Sequence, residues 1–423
     1  MRVTAIELFA LREPTSPGPR TWWSTTPLDI LHDPREPRLS RRQPGAEDGQ
    51  PITNVVVAVH AEDGTYGLGT VGGGSPVAMS VIEHHLADLM LGTDVFDVER
   101  NWQTLYRNTM VLGRKGIVLE AISALDIALW DIQGKLTGQP VYNLLGGRTR
   151  SRVRAYARQL YATTDLSALH AEAAAHSANG FSAVKMRFGY GPGEGRAGMR
   201  ANYELVRTVR EAVGPDVDVA TEAYMGWDTT YAITMINMVE ELGVAWVEEP
   251  VLPDARESYA YIRSRVGVPI SGGEHEFTLS GFHDMLKAGA VDILQPDVNR
   301  MGGITEARKV WALAEAYAIP VIPHSNQAHN AHLIISSYGS PLMEVFPDDG
   351  VHAGYNLYHH FFDGEPRAVS GHVELAEGPG LGLSLVPTVV KDHLVKRRCF
   401  GRPEIDLLGM AEAVRTADAA PTA

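Results

Sequence analysis

Residues 3–10 alternate apolar and polar in the manner of a half-buried strand. The segment "TNVVVAVHAEDGTYGLGTV" (53–71) places two β-rich runs either side of Asp63-Gly64, a favoured tight-turn pair, and predicts a hairpin. Helical spacing follows over 77–91 and 96–109. It is strongest in "GIVLEAISALDIALWDIQGKLTG" (116–138), where Gly138 and Pro140 mark the stop. This part of the pattern predicts an α+β domain over residues 1–135. From about 150 the texture changes. The short apolar runs "VRAYA", "SAVKMRF", "VDVATEA", "VAWVEE", "VPISGGE", "VDILQPD", "IPVIPH" and "SPLMEVF" alternate with amphipathic stretches such as "ITEARKVWALAEAYA". Seven or eight β–α units in series predict a parallel barrel over 136–349, with a doubly wound sheet as the competing arrangement. The irregular tail, 350–423, is expected to pack back on the first domain and complete it.

Composition narrows the classes of function. The formal charge of −14, with no basic block to offset it, argues against nonspecific binding of nucleic acid. The single cysteine, Cys399, excludes an intramolecular disulfide framework and a cysteine-based zinc site. The N-terminal residues lack a basic region followed by a long apolar core, and no apolar run reaches the length of a membrane span. The expectation is a soluble, cytoplasmic protein.

The ends of the barrel runs carry the candidate chemistry: Lys185 and Arg187, Glu222, Glu248 and Glu249, Glu274, Asp297, His324 and Glu344. In a barrel these ends converge on one face. A single strand-end glutamate is as readily a solvated rim or a helix cap. Three in register, Glu222, Glu248 and Glu274, repel one another unless a hard divalent cation with oxygen ligands neutralises them. Asp297 and His324 end consecutive runs, and a carboxylate beside an imidazole fixes its tautomer and makes it a general base. Lys185 and Arg187 either hold a carboxylate or oxyanion, or simply pair with the acids. Two motifs are set aside. "GLGTVG" (67–72) lies in a hairpin arm and not in a β–α crossover, so it does not read as a dinucleotide site. His329 and His332 lack a third soft ligand and read as helix-face histidines.

Together, "ALDIALWDIQGKLTGQPVYNLLGG", "AVKMRFG", "WVEEP", "GGEH", "QPDVNRMGGITEA" and "IPHSN" resemble the enolase superfamily in its mandelate racemase-like branch, over nearly the whole chain. The resemblance implies an α/β fold: a modified TIM barrel, (β/α)7β, with an N-terminal α+β capping domain. It assigns Mg2+ to Glu222, Glu248 and Glu274, the base to His324 on Asp297, and to Glu344 a hydrogen bond donated to the enolate. Within the branch the chain looks most like the acid-sugar dehydratases, rhamnonate dehydratase in particular. The implied reaction removes the proton α to a carboxylate and eliminates the 3-hydroxyl, giving a 2-keto-3-deoxy acid. A racemase, epimerase or cycloisomerase on the same scaffold is the alternative. His275, Trp23, His32 and Arg42 are expected to bind the sugar acid, and relatives form homo-oligomers, often octamers. Two departures stand out: Glu222 replaces the usual aspartate, and Arg187 replaces the second lysine of the racemases. Arginine is a poor base, so the pattern favours a one-base dehydration with Arg187 binding substrate.

Overall fold

The computed structural model describes residues 1–12, 53–71, 76–347, 358–375 and 377–409. Strands β1 (Val3–Arg12), β2 (Thr53–Ala61) and β3 (Tyr66–Thr70) form an antiparallel sheet, and β2 and β3 make the hairpin that Asp63-Gly64 predicts. The free edge of β1 is taken by Leu394–Gly401, which pairs antiparallel with it from Ala5 to Leu11. The C-terminal chain therefore returns to the first domain. The helix Ile117–Thr137 packs across this sheet and ends at Gly138, whose φ of +65° suits glycine. The glycines of "GLGTVG" have a packing role: a Cβ on Gly67 or Gly69 would collide with the carbonyl of Ala128 or Ala124 on that helix.

The second domain is a parallel barrel. Strands β4 (Val153–Leu160), β5 (Ala183–Arg187), β6 (Asp218–Glu222), β7 (Val244–Glu248), β8 (Ile270–Gly272) and β9 (Ile293–Leu294) pair in chain order. A bridge from Leu294 to Val321 continues the order, and β10 (Met343–Val345) pairs in parallel with β4. His372–Val373 adds an antiparallel partner to the start of β4. No helix among the described residues is long and apolar enough to cross a membrane.

The pleat explains what the barrel presents at its mouth. Tyr156, Ala183, Ala220, Trp246, Ile322 and Leu342 form one apolar cluster inside the barrel. Successive inward positions on a strand are two residues apart. The next inward residues are Arg158, Lys185, Glu222, Glu248, His324 and Glu344. An apolar floor thus lies directly beneath a charged layer.

Candidate active site

The charged layer is dense and buried. One carboxylate oxygen from each of Glu222, Glu248 and Glu274 lies within 4.8 Å of the others, and all three side chains are buried. Glu222 and Glu248 are direct register partners on β6 and β7. Their crowding shows in protonation. Burial, with Glu222, Glu344 and Glu274 nearby, raises Glu248 to about 7 in spite of Lys185. Burial also opposes charge on Glu222, but Arg187 and Lys185 outweigh it and lower its pKa. Three converging carboxylates with hard oxygen donors fit a divalent cation such as magnesium. A second group, Glu249, Glu274 and His275, is equally compact. There, however, His275 Nδ1 is engaged by Glu249 at 2.9 Å, and the carboxylates raise the imidazole to about 9 against burial. His275 is thus already paired with Glu249, and the glutamate triad offers hard oxygen donors alone.

His324 lies across the mouth. Its Nδ1 is 2.8 Å from Asp297 Oδ2, and Asp297 Oδ1 accepts the Asn299 N–H at 2.8 Å as the cap of a short helix. Arg300 lies between the acids, with Nε 3.2 Å from Asp297 Oδ2 and Nη1 3.3 Å from Glu274 Oε1. Burial opposes charge on His324, yet Glu274, Glu344 and Asp297 win, and its pKa is raised. The neutral imidazole donates from Nδ1 to Asp297 and leaves Nε2 with a lone pair, as a general base requires.

On the opposite side the two cations are already committed. Lys185, 1% exposed, lies 2.7 Å from Glu248 Oε1 and 2.9 Å from Glu344 Oε2, and these anions raise its pKa against burial. Arg187 grips Glu222 with Nε at 3.1 Å and Nη2 at 2.8 Å. Of the two roles expected for Arg187, this is the pairing with an acid. Glu222 is its register partner, and the longer glutamate arm meets the guanidinium fork. The two positions at which the resemblance implies other residues meet in one interaction.

Glu344 also differs from the role the resemblance implies. It accepts from Tyr156 Oη at 2.6 Å, Arg158 Nη1 at 2.7 Å and the Ser325 N–H at 2.9 Å, in addition to Lys185. Arg158, Lys185 and His324 hold its carboxyl well below the usual range despite burial. A carboxylate ringed by donors accepts hydrogen bonds and has none to donate.

Arg158 and Arg300 were not among the sequence-derived candidates. The apolar run "VRAYA" stops short of β4, which continues to Leu160. The usable signal is parity, since Arg158 stands two residues beyond Tyr156 on the inward face. His275 is at the mouth beside Glu249 and Glu274, whereas Trp23, His32 and Arg42 lie outside the described residues. His329 and His332 are buried in the helix Ala328–Ile335, and desolvation lowers both to about 4. His332 Nδ1 accepts the Tyr142 N–H, a packing role.

The backbone is strained around the same rim. Tyr224, Met225, Glu249 and Ser325 follow barrel strands with φ of +45°, +61°, +44° and +79°. Each such non-glycine residue costs on the order of 1–3 kcal/mol and persists where the surroundings impose it.

Comparison with known proteins agrees with this geometry. Residues 46–146 match the mandelate racemase / muconate lactonizing enzyme N-terminal domain, and 168–389 the enolase C-terminal domain-like family. The L-rhamnonate dehydratase of Saccharopolyspora erythraea is 39% identical over 341 residues, covering 80% of this chain and 84% of that protein. The crystal structure of rhamnonate dehydratase from Gibberella zeae complexed with Mg superposes with a TM-score of 0.82 at 30% identity, over 93% of this chain and 96% of that one. The 3,6-anhydro-D-galactonate cycloisomerase from Zobellia galactanivorans gives 0.78 at 27% identity, over 94% and 100%. With both domains matched and the strand-end acids in register, this chain belongs to the mandelate racemase / muconate lactonizing enzyme family of the enolase superfamily.

Proposed function

We propose that the protein is a magnesium-dependent dehydratase of a sugar acid, a rhamnonate-like aldonate, and that it forms a 2-keto-3-deoxy acid. The observation that carries this reading is the single imidazole backed by an aspartate. His324 Nε2 lies 3.4 Å from Glu274 Oε2 with Asp297 on its other nitrogen, while Lys185 and Arg187 are held as cations on Glu248 and Glu222. A racemase needs a base on each face of the α-carbon; a dehydratase needs one.

Glu222, Glu248 and Glu274 would hold the cation, which supplies positive charge against the substrate carboxylate and acidifies the α-proton. His324 Nε2 takes that proton. The C–H electron pair moves into the carboxylate to give an enediolate, with Asp297 stabilising the imidazolium. The C3–O bond then breaks, and the same Nε2–H protonates the departing hydroxyl, so that water leaves. The resulting enol tautomerises to the 2-keto-3-deoxy acid. Lys185 holds Glu248 and Glu344 in place, and Arg187 holds Glu222.

The test is a panel of aldonic and aldaric acids incubated with purified protein and magnesium, scored for 2-keto-3-deoxy product. Keto acid from a six-carbon aldonate is expected. Exchange of the α-proton with solvent and no keto acid would identify a racemase or epimerase instead.

A further inference from the structure

Arg158 occupies an unusual position for a residue of the inward layer. Its Nη1 lies 3.2 Å from His324 Nε2 and donates to Glu344 Oε1 at 2.7 Å. The side chain is 11% exposed and its guanidinium lies over the Phe346 ring. Yet Nε is buried with no hydrogen-bond partner among the described residues. A buried guanidinium leaves such a donor orphaned at a cost unless a ligand completes it. The guanidinium stands beside the base, on the strand next to that of Arg187.

A guanidinium always donates, so its contact with Nε2 occupies the lone pair that must take the α-proton. The resting arrangement therefore masks the base. Glu344, fully engaged as an acceptor, offers no proton to a substrate oxygen. The planar fork of Arg158 matches a carboxylate in geometry and charge, and the planar enediolate that replaces it even better. We infer that Arg158 is a catalytic residue that binds the substrate carboxylate and takes the charge developing on it, and that substrate binding draws it off His324 and uncovers the base. This inference rests on reading the site as one of α-proton abstraction. The simpler alternative is that Arg158 only buttresses Glu344.

The experiment compares the magnesium-loaded wild type with Arg158→Ala and Arg158→Lys. It follows α-proton exchange in heavy water and keto-acid formation, and calorimetry follows binding of oxalate, a planar mimic of the enediolate. Arg158→Ala is expected to lower both rates about 100-fold, the usual scale for removing one donor to a developing oxyanion. Oxalate binding should weaken about tenfold, and added guanidinium chloride should restore much of both. Arg158→Lys should fall between, because it keeps charge and loses the fork. Exchange within about threefold of wild type with oxalate binding intact would overturn the inference. So would a loss that guanidinium does not repair in Ala while Lys is fully active, since a charge on Glu344 would then suffice. If the wild type shows neither exchange nor keto acid with any acid sugar, the reading of the reaction fails by itself. The dependence of oxalate binding on Arg158 still decides its role as a carboxylate site.

Discussion

Two buried charge clusters in this chain differ in one respect, and the difference separates a scaffold from a site. In the capping sheet, Glu7 on β1 meets His60 on β2 at 3.0 Å and Arg397 of Leu394–Gly401 at 2.9 Å, with Glu7 and His60 fully buried. One carboxylate meets two partners, and the cluster stitches three strands together. At the barrel mouth, six carboxylates (Glu222, Glu248, Glu249, Glu274, Asp297 and Glu344) crowd around four permanent cations, Arg158, Lys185, Arg187 and Arg300. His275 makes a fifth cation near neutral pH. A dication among the crowded carboxylates would offset their mutual repulsion and favour a monoanionic acid beside it. Matched charge holds strands; mismatched charge awaits ligands.

The largest effect should come from removing the base. His324→Asn is expected to lower α-proton exchange and dehydration about 10⁴-fold, while thermal unfolding stays unchanged. Activity within about tenfold of wild type would show that another group takes the proton. The matched cluster should respond in the opposite way. Arg397→Met leaves Glu7 buried without its strongest partner, which costs about 3–5 kcal/mol of stability. Turnover per folded molecule should be unaltered; a selective loss of activity would erase the distinction between the clusters.

Glu365 is a useful control, because it is buried and accepts the Ala328 N–H, with no cation acting on it among the described residues. Desolvation raises its carboxyl to about 8. The folded state holds this proton more tightly than the unfolded chain, so the associated stability is present below about pH 4.5 and is lost as pH rises toward 8. The loss is roughly 3 kcal/mol at 1.36 kcal/mol per unit, discounted for relaxation. Glu365→Gln should remove this slope from urea titrations run at pH 5 and pH 9. Equal pH slopes in the variant and wild type would contradict the assignment.

The smallest expected effect sharpens the metal side of the comparison. Arg187→Lys and Glu222→Asp each loosen the bidentate pair. The loss of magnesium affinity in the double variant should be smaller than the sum of the single losses, with a coupling of about 1–2 kcal/mol. Additive losses would mean that the two departures are independent.

Much of this was legible in the sequence because it is local. A strand that stops on an acid, repeated at one strand–helix interval, declares a charged mouth whatever the geometry of the closure. Glu222, Glu248, Glu274, Asp297 and His324 are all of this kind. Arg158 was missed because its charge interrupts an apolar run, and only the inward parity from Tyr156 shows that the strand continues past it. The commitment of Arg187 to Glu222, and of Glu344 to four donors, depends on which side chains meet across neighbouring strands.

The sequence by itself determined the order of strands and helices and the charged character of the barrel's strand ends, because periodicity of two and of about 3.6 is written along the chain. Only the tertiary structure decided which of those charges remain available. Pairing is a property of distance in space: Arg187 and Lys185 are close enough to spend their charge on glutamates, whereas Arg158 meets His324 and keeps a buried Nε without a partner among the described residues.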